Sequence, residues 1–178
     1  MVGSLIKIDE EIVTSAVASV TLGGSDWDSS YDVYMVRVSN AKPVNDNQLF
    51  ITRVTKDVSG TPTPQTTANY DYAAKFLDST TTFGNQSGTN VTYWQTHTNI
   101  GNSTSEMANG IYYLFNFNNA SEYSFMTKEN TDLAFTGALI GHQGGGVYTV
   151  AEAHNGITML FGTGNISAGT FTLYGLKK

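Results

Sequence analysis

The feature that most constrains the fold is a succession of short runs in which apolar and polar residues alternate, separated by clusters of turn-forming residues. Residues 16–22, 110–118 and 170–175 show this period of two, which is typical of strands with one buried face. Residues 31–38 are apolar at nearly every position, as expected for a strand buried on both faces. Residues 68–78 alternate as well, although their pattern also fits one helix. A chain without regular helical segments between its strands is not an alternating β-α-β protein.

Composition supports the same conclusion. Charged residues make up 13% of the 178 residues, about half the usual share of roughly 25%, so the polar surface must consist mainly of Thr, Asn, Ser and Gly. We therefore predict an all-β protein with one antiparallel β-sandwich domain of the jelly-roll type over residues 13–178. Residues 1–12 are expected to form an N-terminal arm or, alternatively, the first edge strand.

Three local features refine this prediction. Residues 58–67 contain two prolines, a glycine and four threonines, and they are predicted to form a loop. Asn155 and Gly156 tolerate a positive φ, which favours a hairpin turn at 154–156. In the last segment, Phe171 and Leu173 are predicted to fix a final strand in the sandwich.

The charge pattern excludes several classes of partner. A net charge of −6, with nine basic residues scattered along the chain, gives no basic stripe for a phosphate backbone, so no nucleic acid is expected. No stretch approaches the roughly 18 apolar residues of a membrane span, so no membrane insertion is expected. The acidic residues at positions 9–11 interrupt the N-terminal apolar stretch, which is unlike a secretory signal.

No pattern of catalytic or metal-binding residues stands out. His97, His142 and His154 are isolated from one another in sequence, and the residues around Asp26 and Asp28 lack the glycine and glutamate of an EF-hand loop. The sequence contains no nucleophile elbow and no phosphate-binding glycine loop. We therefore expect no enzymatic activity, no cofactor and no metal.

Two groups of residues are candidates for binding. Trp94, Tyr93 and Trp27 are candidates for stacking on a sugar ring, although aromatic residues in strands more often belong to a core or an interface. Gly144, Gly145 and Gly146 permit close backbone approach, which suggests a contact with a neighbouring subunit or ligand. The alternative for the three glycines is a flexible loop or a bulge before a strand at 146–153.

Several segments resemble those of small virion proteins of tailed bacteriophages, marine phages in particular. The ending GNISAGTFTLYGLKK contains the Gly-x-Phe-x-Leu-Tyr-Gly pattern with which such chains commonly close, and SAVASVTL, YDVYMVRVSN, TTANYDYAAKFL and NGIYYLFNFNNASEYSF are also similar. The resemblance implies a non-enzymatic structural protein of the virion, such as a capsid decoration, a head fibre or knob, or a tail-fibre or baseplate appendage. Such proteins are often trimeric, so the implied partners are further copies of the chain and other virion proteins.

Two alternatives to a structural role remain open. One is a carbohydrate-binding module that recognises a host-surface glycan at the tip of a phage tail fibre, which requires an exposed aromatic platform. The other is a small lyase or hydrolase acting on polysaccharide, which requires a convergent pair of acids or a His–Tyr–Arg cluster in a cleft.

Overall fold

Thirteen strands in two antiparallel sheets make up most of residues 4–177, the part of the chain that the computed structural model describes. The only helical element in these residues is a 3-10 turn at Gly24–Asp26. The strands are β1 (Ser4–Val13), β2 (Val20–Gly23), β3 (Val33–Pro43), β4 (Gln48–Val58), β5 (Thr61–Pro64), β6 (Tyr70–Asp78), β7 (Phe83–Val91), β8 (Trp94–Ile100), β9 (Ala108–Phe115), β10 (Ser124–Leu133), β11 (Leu139–Tyr148), β12 (Gly156–Phe161) and β13 (Ile166–Lys177). The predicted all-β sandwich is confirmed. The segment with an ambiguous pattern, residues 68–78, is strand β6 rather than a helix.

The larger sheet contains eight strands in the order β1-β13-β3-β9-β10-β11-β6-β7. The smaller sheet has the order β2-β12-β4-β5, and β8 pairs with the first part of β4 while β5 pairs with its last part. Many neighbouring strands are distant in sequence, so most of the pairing is long-range. The strand order establishes an antiparallel sandwich, and the jelly-roll connectivity stays a prediction.

The core lies between the two sheets and is rich in aromatic rings. Phe50 lies 4.9 Å from Phe161, which belongs to the same smaller sheet, measured between ring centroids. It lies 6.3 Å from Phe171 of the larger sheet. Burial of each such side chain contributes about 1.5–3 kcal/mol relative to leaving it exposed. The largest fully buried side chains are Trp94, Tyr34, Tyr70, Tyr112, Tyr148, Phe50, Phe117, Phe161 and Phe171.

Strand β13 lies inside the larger sheet, paired with β1 on one side and with β3 on the other. Its residues Phe171 and Leu173 are fully buried, as predicted for a final strand fixed in the sandwich. Strand β1, which covers most of the segment expected to be an arm or an edge strand, pairs along β13 and lies at the edge of the sheet.

The prediction of a loop over residues 58–67 is partly wrong, because this segment contains the short strand β5. β5 pairs with β4 only, so it lies at an edge of the smaller sheet. Pro62 and Pro64 are tolerated there because an edge strand does not need every backbone N–H for pairing.

The hairpin predicted at 154–156 is also wrong. β11 belongs to the larger sheet and β12 to the smaller one, so the segment between them crosses the sandwich. The backbone of Asn155 is held by the smaller sheet: its N–H donates to Thr55 O at 3.0 Å, and its carbonyl accepts from Gly24 N at 2.7 Å.

Candidate functional site

A cleft of about 340 Å³ at one end of the sandwich combines an aromatic ring with amide, imidazole and charged groups. We call it the Trp27 cleft. Its lining residues are Trp27, Ser29, Lys56, Asp57, Asn118, Ala153, His154 and Asn155.

The position of Trp27 is fixed by aromatic packing and by one amide. Its ring lies 4.0 Å from that of Tyr34 and 5.9 Å from that of Phe117, between centroids, with interplanar angles of 30° and 27°. Its Nε1–H donates to Asn118 Oδ1 at 2.8 Å, and Asn118 Nδ2 in turn donates to Tyr31 O and to Tyr34 Oη, each at 2.7 Å. The indole is therefore held in place with its polar edge already bonded and part of its surface open to the cleft.

His154 forms part of the inner wall of the cleft and is only 2% exposed. Its ring packs edge-on against Tyr148 and Phe117, at centroid distances of 5.1 and 5.6 Å. Burial lowers the pKa of His154 to about 4, although the neighbouring Glu152 carboxylate acts in the opposite direction. The imidazole is therefore neutral near pH 7.

Lys56 and Glu152 form an ion pair beside the imidazole, with Lys56 Nζ 2.6 Å from Glu152 Oε2. Both side chains are partly exposed, and the pair raises the pKa of Lys56. Glu152 Oε1 lies 3.5 Å from His154 Nε2. Of these three residues, Lys56 and the neutral His154 line the cleft, and Glu152 lies behind them as their shared partner.

Ser124, His154 and Glu152 contact one another in space as the serine, histidine and acid of a serine-hydrolase triad do. Their geometry nevertheless does not give an accessible nucleophile. His154 Nδ1 lies 2.9 Å from Ser124 Oγ, and Ser124 is fully buried behind the imidazole. The other ring nitrogen, His154 Nε2, is buried as well and lies 3.5 Å from Glu152 Oε1, so neither the serine hydroxyl nor Nε2 is open to the cleft. The chemistry that this arrangement offers is hydrogen bonding rather than nucleophilic attack.

The three aromatic residues singled out in the sequence are not gathered in one site. Trp94 is fully buried, with its Nε1–H donating to Val147 O at 3.1 Å, so it offers no exposed ring to a ligand. Interpretation of Trp94 as a sugar platform is therefore wrong for the folded chain. Tyr93 is partly buried at the turn before β8, and neither it nor Trp94 lines the Trp27 cleft. Of the three, Trp27 alone lies in that cleft.

The three glycines lie inside β11, so a loop or a bulge at this point is wrong. Gly144 and Gly146 face the core, since they pair with the buried residues Lys128 and Met126. Gly145 lies on the outer face of the sheet, between Thr127 and Ala73. Together with Phe125 and other neighbours, Gly145 and Gly146 line a shallow groove of about 550 Å³ on that face. A subunit contact at these glycines stays a prediction.

The sequence analysis missed a buried polar network around the carbonyl oxygen of Thr96 in β8. This oxygen accepts from Lys128 Nζ at 2.9 Å, from Asn130 Nδ2 at 2.8 Å and from His142 Nδ1 at 3.1 Å. Lys128 Nζ also donates to Gln95 O at 2.7 Å. In the described residues β8 pairs with β4 only, so the backbone carbonyls on its other side have no strand partner. Side chains of the larger sheet donate hydrogen bonds to the carbonyls of Gln95 and Thr96 instead.

Burial strongly perturbs the ionisable groups of this network. It lowers the pKa of Lys128 to about 7 and raises the pKa of Asp132 to about 8, while each group moderates the shift of the other. The three hydrogen bonds that Lys128 donates favour its ammonium form, since each takes one of its three protons. The alternating polar residues of β10 were the only signal in the sequence, and they resemble the solvent-facing side of a strand.

No protein-family model matches the chain, and no curated protein matches it in sequence. Across residues 4–177, no helix is long and apolar enough to cross a membrane. Within the same residues, no group of three or more His, Asp or Glu side chains is arranged to hold a metal ion.

Proposed function

We propose that this protein is a non-enzymatic structural component of a bacteriophage virion, exposed on the particle surface and assembled as a symmetric oligomer. Two independent lines support the proposal. The segments quoted above resemble small virion proteins of tailed phages, and the outer face of the eight-stranded sheet carries an apolar surface suited to a subunit contact.

That surface is the single observation on which the assembly rests, and we call it the apolar band. Its side chains alternate with core side chains along their strands, so they lie on the outer face. Four of them form one cross-strand row, and Tyr113 lies two residues before Phe115 in β9. Tyr113 and Phe125 are 38% and 44% exposed. Three further members are half-buried. The band consists of Val33, Tyr113, Phe115, Phe125 and Val147.

A contiguous, partly exposed apolar surface of this kind favours a contact with another protein. The glycine groove adjoins the band, because Phe125 and Val147 belong to both. Beside it, Arg37, Glu129 and Lys75 fall in one cross-strand row and alternate in sign. The face therefore carries charges of both signs beside the band, which allows complementary ion pairs between two copies of the chain.

The test is the solution mass of the purified protein, measured by light scattering after size exclusion. We expect a closed oligomer with a small multiple of the 19.2 kDa chain mass, and the family resemblance favours a trimer. Phe125→Lys should shift the mass toward the monomer because it places a charge in the band. Val58→Lys, at an apolar side chain that is 47% exposed on the smaller sheet, is the matched control.

A monomer at all concentrations, or an oligomer whose mass is the same in both variants, would contradict assembly through the apolar band. The virion assignment has a separate test, peptide mass spectrometry of purified phage particles. We expect the chain there in a stoichiometric amount.

A further inference from the structure

Strand β7 has an open edge that lacks the usual protection against pairing with another chain. Among the described residues it pairs with β6 alone, and this pairing is in continuous register over residues 83–88, with an irregularity only after Gly88. The sequence of the strand, FGNQSGTNV, contains no charged residue and no proline. The backbone N–H and C=O groups on its open side are therefore available to a further strand.

The other strands at the ends of the two sheets carry features that hinder such pairing. Strand β1 has a register irregularity between Lys7 and Asp9, and Glu10 and Glu11 add further charges to it. Strand β5 has two prolines in four residues, and β2 is only four residues long. Charges, bulges, prolines and short length are the means by which edge strands avoid association. Compared with these strands, β7 is the edge best suited to accept another strand.

Exposed apolar side chains lie at the start of this edge. Phe83, the first residue of β7, is 75% exposed, the largest value among the large apolar side chains of the described residues. Leu77 of β6 is its direct cross-strand partner and is exposed as well. A phenylalanine ring buries about 150–250 Å² when it is fully covered. A partner that pairs with β7 can therefore gain apolar burial in addition to backbone hydrogen bonds.

The uncharged sequence of β7 makes a second copy of the same strand a matching partner. In antiparallel pairing of residues 83–89 with themselves, Phe83 lies opposite Thr89, and Asn85 lies opposite Ser87. All four side chains are then on the outer face, because alternate residues of a strand share a face. No like charges oppose one another in this arrangement. Strand β1 of a second copy would instead bring its charges and its irregular register to the edge.

The glycine groove supplies a place for the ring of Phe83. Ser87 and Thr89 of β7 line this groove together with the small residues Ala73 and Gly145. In the antiparallel arrangement, Phe83 of one copy is directly opposite Thr89 of the other and diagonal to Ser87, and an aromatic side chain reaches both positions. Because the pairing is symmetric, the contact is made twice, once in the groove of each copy.

We propose that two copies of the chain join edge to edge through β7, in antiparallel register, so that their eight-stranded sheets form one continuous sheet. Phe83 of each copy lies against Ser87 and Thr89 in the glycine groove of the other. This contact goes beyond the assembly proposed above, because no residue of β7 belongs to the apolar band. Either contact can fail without the other.

The test is disulfide crosslinking, since the chain has no cysteine and an introduced one is its only thiol. Asn85→Cys protein is mixed with ¹⁵N-labelled Ser87→Cys protein, and the mixed dimer is identified by its mass after mild oxidation. Directly opposite residues have Cβ atoms about 4.5–5.5 Å apart, close to the separation in a disulfide. The mixed dimer should form at least about tenfold faster than the dimer of Asn165→Cys, an exposed site outside β7.

Phe83→Cys mixed with Thr89→Cys tests the same register with a second pair of exposed positions. Val33→Lys, added to both partners of the first pair, alters the apolar band and should leave the crosslinking rate unchanged, which separates this contact from the band. The proposal is overturned if neither mixed pair crosslinks faster than Asn165→Cys. It is also overturned if Ser87→Cys crosslinks faster with Glu11→Cys of β1 than with Asn85→Cys.

Discussion

The indole ring of Trp94 packs directly against the backbone of Gly146. A Cβ atom at Gly146 would lie 2.5 Å from Trp94 Cδ1 and 2.6 Å from its Nε1. The ring cannot retreat easily, because it is fully buried and its Nε1–H is bonded to Val147 O at 3.1 Å. The last of the three glycines is therefore required by packing across the sandwich.

Gly146→Ala should accordingly destabilise the fold. Forcing an extra methyl group into a packed core costs about 1–3 kcal/mol, and we expect a loss of this size in the free energy of unfolding measured with urea. Gly141→Ala is the matched control in the same strand, since the nearest atom to its added Cβ would be Asn130 O at 4.0 Å. Equal stability of the two variants would contradict the packing argument.

The buried histidines should make the fold sensitive to acid. Burial lowers the pKa of His142 and of His154 to about 4, and it lowers the pKa of His97 well below the usual 6.5. Between pH 6.5 and 4 the unfolded chain therefore binds protons that the native histidines do not, so stability falls as the pH is lowered through this window. Asp132, whose pKa is raised to about 8, acts in the opposite direction but is one group against three.

The measurement is the free energy of unfolding at a series of pH values from 7 to 4. Lys128 does not contribute to the slope in most of this window, because its pKa of about 7 keeps it protonated in both states at lower pH. His154→Gln should reduce the slope by about one proton, equivalent to about 1.4 kcal/mol per pH unit. A slope that is flat, or unchanged in this variant, would show that the native histidines are already protonated.

The sequence was sufficient for the sandwich because the period-two pattern is local. Phe171 and Leu173 could be assigned to the core from alternation alone, and both are fully buried. The sequence was not sufficient for Trp94 and Trp27, because one indole ends up in the core and the other in a cleft according to long-range packing. Nor could it place Lys128 and Asp132, since a polar residue at an inward position looks the same in sequence as one facing solvent. His154 and Glu152 come together with Lys56 only through the crossing segment between the two sheets.

Lys128→Met tests whether the buried polar network stabilises the fold. Lys128 Nζ donates to Gln86 Oε1 at 2.9 Å as well as to the carbonyls of Gln95 and Thr96. Methionine fills similar space but leaves buried acceptors without this donor, so we expect a loss of about 1–3 kcal/mol in the free energy of unfolding. Lys75→Met, an exposed lysine on the outer face of β6, should change stability by less than about 0.5 kcal/mol. A Lys128→Met variant as stable as the wild type would mean that an apolar core serves equally well at this position.

Truncation after Gly169 should abolish soluble folding. It removes most of β13, which is the only strand that β1 pairs with in the described residues, and it leaves β3 with an unpaired edge. It also removes Phe171 and Leu173, whose burial helps to join the two sheets around Phe50. Truncation after Leu176 is the control, since it keeps both core residues and should leave a soluble domain with a cooperative unfolding transition. The measurements are soluble yield, the circular dichroism spectrum and the unfolding transition of each product. Because the missing strand is internal to the sheet, a stable and soluble product ending at Gly169 would require β1 to pair directly with β3. Such a product would contradict the prediction.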